Sequence, residues 1–192
     1  MARRHSRMPP LGTPAPRFAL RDTVSGRTVA LEDLASSPAL LITFICNHCP
    51  YVKHILDGFV AFARDFDQRD LAIVAISSND VEGYPDDAPA EMTRIAKLKG
   101  FTFPYLYDES QEVANAYQAI CTPDFFLFDR DRRLAYRGQF DASRPGSNIP
   151  VTGSDLRAAV EALLRGNSVP LEQTPSVGCS IKWKAGQEPH RA

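Results

Sequence analysis

Hydrophobic positions along this chain alternate between two spacings. Leu40-Leu41-Ile42-Thr43-Phe44-Ile45 and Leu71-Ala72-Ile73-Val74-Ala75-Ile76 are nearly continuous apolar runs of strand length. Such runs are expected of central strands covered on both faces. Between them, Val52, Ile55, Leu56, Phe59, Val60, Ala63 and Phe66 recur at helical spacing, and Pro50 suits the first helical position. This order predicts a βαβ unit with parallel strands and a right-handed crossover.

The flanking segments extend the pattern. Phe18-Ala19-Leu20 and Thr28-Val29-Ala30-Leu31 enclose the turn-like Asp22-Thr23-Val24-Ser25-Gly26, which predicts an N-terminal β-hairpin. Residues 78–89 read as a polar loop. A helix with Met92, Ile95, Ala96 and Leu98 inward should follow and stop near Gly100, and a short helix should cover 111–119. Phe125–Phe128 and Leu134–Phe140, split by the charged turn Asp129–Arg133, predict an antiparallel hairpin. Residues 141–153 are a Pro/Gly/Ser-rich loop, after which Ser154 caps a helix carrying Leu156, Val160, Leu163 and Leu164, closed by Gly166. The expected organisation is a flexible arm over 1–12, one domain over 13–166, and a tail over 167–192 that packs back on it.

Composition narrows the function classes. The chain has 192 residues, enough for one domain with one core. A net charge of −1 offers no basic footprint, so nucleic acid is not an expected partner. No segment approaches the roughly 18 apolar residues of a membrane span, and the charged N-terminus lacks the apolar stretch of a secretory signal. Four cysteines without an export signal suggest a reducing compartment, where thiols are catalytic or metal-binding more often than disulfide-bonded. The expected location is cytoplasmic.

The candidate chemistry lies where the first strand meets the first helix, at Cys46-Asn47-His48-Cys49-Pro50. A thiol at a helix opening faces unpaired N–H groups and the positive end of the macrodipole, which favour the nucleophilic thiolate. By that argument Cys49 is the nucleophile and Cys46 its neighbour at the strand end, and a Cys46–Cys49 disulfide needs Cα atoms closer than about 7 Å. His48 could lower the thiol pKa when protonated, or act as base or ligand when neutral. The tail from Gly166 to Cys179 can span roughly 40 Å, more than the roughly 18 Å length of the last helix, so Cys179 can reach the site as a resolving thiol. Trp183 should anchor the tail by packing. Asn79, Asp80 and Arg144 should rim the site.

Ala15-Pro16-Arg17-Phe18, the Cys46–Lys53 stretch, Cys121-Thr122-Pro123-Asp124-Phe125 and Gly178-Cys179-Ser180-Ile181-Lys182-Trp183 together resemble a peroxiredoxin-like subgroup of the thioredoxin superfamily, in its alkyl hydroperoxide reductase/thiol-specific antioxidant branch. The resemblance runs from about residue 11 to residue 184. It implies an α/β, thioredoxin-like fold with a central mixed sheet flanked by helices. It also implies thiol oxidoreductase activity on a peroxide or disulfide substrate, an external thiol reductant, no bound cofactor, and relatives that often form homodimers. Pro123 takes the place of the family's cis-proline, with Thr122 before it and Cys121 brought near the nucleophile.

In that superfamily the nucleophile follows a strand-end aromatic by five residues, which from Phe44 gives Cys49. The usual second cysteine then falls on Val52, a departure from the pattern. Thr43-x-x-Cys46 fits half of the peroxiredoxin signature instead, but Ala39 stands where that signature has proline, and Thr122-Pro123 occupies the stretch of its arginine. Two other readings stay open. Cys46, Cys49, Cys121 and Cys179 could hold a metal or an iron–sulfur cluster, with His48 as a substitute ligand, or the domain could be a non-catalytic adaptor.

Overall fold

A computed structural model describes residues 3–66 and 69–189. Its strands are β1 (Arg3–His5), β2 (Ala19–Asp22), β3 (Thr28–Ala30), β4 (Ala39–Phe44), β5 (Leu71–Ser77), β6 (Tyr105–Tyr107), β7 (Cys121–Thr122), β8 (Asp124–Phe128), β9 (Leu134–Gly138) and β10 (Val177–Ser180). Its helices are α1 (Pro50–Asp65), α2 (Pro89–Lys99), α3 (Glu112–Ala116) and α4 (Ser154–Leu164). Seven strands form a mixed sheet in the order β3-β2-β6-β5-β4-β8-β9, and β1-β10-β7 form a small second sheet.

β4 pairs parallel with β5 on one side and antiparallel with β8 on the other. All six residues of β4 are buried, as its continuous apolar run requires. Strand alternation divides its side chains between two cores. Leu41, Ile73, Phe125 and Leu127 pack with Phe59 and Phe62 of α1, Met92 of α2 and Leu156 of α4. Leu40, Ile42, Phe44, Val74 and Phe126 pack on the other face with Phe18, Leu31, Val113 and Tyr117. The mixed sheet flanked by helices and the N-terminal hairpin are as expected.

Several local expectations are corrected. Leu98 is 68% exposed, because at 100° per residue it lies well round the helix from the buried pair Met92 and Ala96. Ser154 is the first helical residue rather than the cap: Gly153 holds the cap position at φ 67°, with its N–H and that of Thr152 bound to the Asp141 carboxylate at 2.7 Å each. The strand expected to run to Phe140 ends at Gly138. β6 is too short to carry a periodic signal. Within the expected arm, Arg3–His5 pair with β10; Met1 and Ala2 lie outside the described residues, as do residues 190–192 of the tail. Trp183 packs on the second core.

Candidate active site

The site grows from the junction of β4 and α1. Proline disfavours helical backbone in the residue before it, and Cys49 is accordingly extended (φ −66°, ψ 122°), with Pro50 opening the helix. Cys49 is thus the N-cap residue, and its carbonyl accepts the Lys53 N–H at 2.9 Å. Its Sγ lies 3.2 Å from the Thr122 carbonyl oxygen, to which the thiol form donates. The Cys46 Sγ sits 3.3 Å from Thr122 Oγ1. The Thr122–Pro123 peptide is cis, as the sequence resemblance implies.

These contacts separate the thiols electrostatically. The Cys46 thiol, hydrogen-bonded to the Cys49 sulfur, is the largest influence on Cys49, and it favours the thiolate. Burial opposes that effect. The Val52 N–H, facing the sulfur without closing a full capping bond, adds to it, as do Cys179 and the Thr122 hydroxyl, so that Cys49 is lowered to about 5. The same contact with Cys49, together with burial, pushes Cys46 well up. Burial and then the Cys49 contact raise Cys179 to about 12. Burial raises Cys121 well above its ordinary value. The surroundings thus favour the thiolate at Cys49 and the thiol at Cys46, Cys121 and Cys179.

All four cysteines are buried and free, and Cys49 has no exposed surface. What covers the region is the tail. β10 pairs antiparallel with β7, setting Cys179 opposite Thr122 and Ser180 opposite Cys121. The tail therefore does return to the site. Directly paired antiparallel residues share a face, so Cys179 lies on the Thr122 side, toward Cys46 and Cys49. Cys121 takes the opposite face by alternation, and its Sγ contacts the Pro123 carbonyl at 3.9 Å.

His48 is held by a residue that sequence reasoning passed over as part of a polar loop. Asp87, fully buried, accepts from the Asn47 N–H (2.7 Å), the His48 N–H (3.1 Å) and the Asn79 amide (2.7 Å), and contacts His48 Nδ1 at 2.5 Å. Burial opposes its charge, but the bonds from His48, Asn79 and Asn47 outweigh burial and lower its pKa. Asp87 thus clamps the Cys46–Cys49 loop through backbone and ring alike. Its only sequence signal was a carboxylate in the loop beyond β5, whose end faces the site. The His48 ring stacks on Tyr84 at 4.9 Å, and its Nε2 is buried without a hydrogen-bond partner.

Other expected rim residues have structural duties. Arg144 donates to the carbonyls of Asp141 (2.7 Å) and Ser143 (2.6 Å), and it also bonds Gln139. Asn79 joins Asp87 to the Lys182 backbone, 2.8 Å from its Oδ1. A cleft beside Pro123 is lined by Tyr51, His54, Arg144 and Val177. Among the described residues, the group of three or more ligand-type side chains with atoms within 4.8 Å of one another is Cys46, His48 and Asp87. The four-cysteine set considered for a cluster does not form such a group. No helix among the described residues is long and apolar enough to cross a membrane.

The AhpC/TSA family profile matches residues 11–137, two thirds of the chain. The chain belongs to the AhpC/TSA family. Crystal structures similar to this family member include a conserved protein of Geobacillus kaustophilus (54% identity, covering 97% of this chain and 98% of that one, TM-score 0.94). Another is a protein of Sinorhizobium meliloti 1021 (50% identity, 95% and 99% covered, TM-score 0.93). A thiol:disulfide interchange protein of Chlorobium tepidum TLS, at 18% identity, 80% and 97% coverage and TM-score 0.61, shows the shared thioredoxin-like fold. Mitochondrial peroxiredoxin PRX1 of Saccharomyces cerevisiae is 25% identical over 115 residues, which are 60% of this chain and 43% of that relative. The match thus spans less than half the length of that curated protein. A thiol-based redox role is what AhpC/TSA membership suggests.

Proposed function

We propose that this AhpC/TSA protein is a cysteine-dependent peroxidase in which Cys49 is the nucleophile. The observation that carries the reading is the placement of Cys49 at the α1 opening, beside Thr122 and opposite Cys179, where the Cys46 and Cys179 thiols favour its thiolate form. A thiolate with no exposed surface suits a small oxidant better than a protein disulfide. The thiolate attacks the terminal oxygen of a hydroperoxide and the O–O bond breaks. The alkoxide or hydroxide leaves and takes up a proton, and Cys49 becomes a sulfenic acid. A neighbouring thiol then attacks that sulfur, giving up its proton as water departs, and a disulfide forms. An external dithiol returns both cysteines to the reduced state by exchange.

Asp87 and His48 act as positioning residues, fixing the loop that carries Cys46 and Cys49. Thr122 contacts both sulfurs, its hydroxyl facing Cys46 and its carbonyl facing Cys49. Hydroperoxide consumption with dithiothreitol as reductant tests the reading. Cys49→Ser should abolish turnover, while Cys46→Ser keeps a measurable first oxidation; turnover that survives Cys49→Ser refutes the assignment. A second reading, thiol–disulfide exchange, is favoured by one observation. The Cys121–Thr122 backbone beside Cys49 is an edge that pairs with an extended strand. A protein disulfide could use it once β10 had left.

A further inference from the structure

β10 is unusually intimate with the cis-proline peptide. A methyl group built on Gly178 would lie 1.9 Å from the Thr122 carbonyl oxygen and 3.1 Å from the Pro123 nitrogen, so the strand lies directly on that peptide. It is fixed along its length. On the outer edge, β1 pairs with it. Before it, the Ser6 and Ser176 backbones bond at 2.9 Å. After it, the Ile181 N–H donates to the Ile120 carbonyl at 3.0 Å, and the Gln111 amide donates to the Lys182 carbonyl at 2.8 Å. The segment is therefore a built part of the site rather than a tail that happens to fall there.

We propose that Val177–Ser180 is an internal partner strand: it occupies the Cys121–Thr122 edge in place of an external peptide, seals Cys49, and presents Cys179 as the thiol that resolves oxidised Cys49. The inference rests on the peroxidase reading and adds to it the identity of the resolving cysteine and the gate. Register puts Cys179 opposite the residue whose carbonyl is 3.2 Å from the Cys49 sulfur, on the face where Thr122 Oγ1 meets Cys46. Cys46 is the competing thiol, held by the Thr122 hydroxyl. After Cys49 becomes a sulfenic acid, the Cys179 sulfur, losing its proton, bonds to the Cys49 sulfur and water leaves. The two electrons lost by the thiols match those gained by the peroxide. The closed strand also keeps protein disulfides out, so macromolecular partners need it displaced.

The test uses the full chain, treated with one equivalent of hydrogen peroxide and mapped by mass spectrometry without reduction. The expected product is a Cys49–Cys179 disulfide, and in Cys179→Ser a Cys49 sulfenic acid that a dimedone probe captures. A Cys46–Cys49 or Cys49–Cys121 disulfide with Cys179 free overturns the inference and leaves the peroxidase reading standing. Cys49 left unoxidised overturns both. Gly178→Ala tests the gate separately: pushing the strand off Thr122 should raise the alkylation rate of Cys49 by about tenfold or more, with thermal unfolding checking that the domain stays folded. An unchanged rate in a folded variant removes the gating role.

Discussion

Replacing Cys46 with alanine should move the ionisation of Cys49 measurably, because the Cys46 thiol is the largest single influence favouring the thiolate. A hydrogen bond to a charged acceptor contributes about 1.5–3 kcal/mol, and a tenfold change in ionisation corresponds to about 1.4 kcal/mol. The midpoint of Cys49 should therefore climb from about 5 by about one to two pH units. At a pH of about 6, the ionised fraction would fall from about nine-tenths to one-half or less. Val52, Cys179 and Thr122 remain in place, so the midpoint should still lie below that of an ordinary cysteine. Ultraviolet absorbance of the thiolate, followed through a pH titration, reads this directly. The Cys46→Ala/Cys49→Ser double variant serves as baseline. Cys46 itself, pushed well up, does not titrate in that window. A midpoint that stays where it was, or falls, would refute the claim that one thiol tunes the other.

Four further outcomes follow from the packing, the buried charges and the His48–Asp87 contact. Asp87→Ala leaves two backbone N–H groups, an amide and a ring without their acceptor, and should cost about 3–5 kcal/mol by urea unfolding. Because the Asp87 pKa is lowered on folding, its stabilisation is present above the ordinary carboxylate value and is lost as pH falls through the folded value, so the deficit of the variant should shrink in acid. Burial pushes Asp124 well up; it therefore favours folding in acid and progressively opposes it as pH rises, and Asp124→Asn should raise Tm at neutral pH. Phe59 meets Phe62, Phe103, Phe125 and Phe140 at centroid distances of 5.3–6.0 Å, so Phe59→Ala should lose about 3–5 kcal/mol in chemical denaturation. Finally, His48 Nδ1 and Asp87 Oδ2 already satisfy each other at 2.5 Å. Protein purified without chelator should thus carry well under one zinc per chain, measured by metal analysis.

The central βαβ unit could be read from the sequence because burial on both faces leaves an unmistakable signal: six apolar-patterned residues in β4, then a helix with one wet side. The position of Cys49 at the helix opening was legible for a related reason, since Pro50 starts the helix and holds the residue before it extended. What escaped was long-range and short in sequence. β7 has two residues and β10 four, with a glycine chosen by contact with Thr122 rather than by any periodicity. Asp87 escaped because its role depends on a contact with residues some forty positions earlier. Leu98 differs from expectation by angle: it is apolar, but the helix phase set by Met92 and Ala96 turns it outward.

The most direct measurement is the alkylation rate of each cysteine as a function of pH, resolved by peptide mass spectrometry on the unmodified protein. Cys49 should react with a midpoint near 5 while Cys46, Cys121 and Cys179 stay slow through neutrality. A Cys49 profile rising near the pH of an ordinary thiol, or a faster reaction at Cys46, would contradict the account.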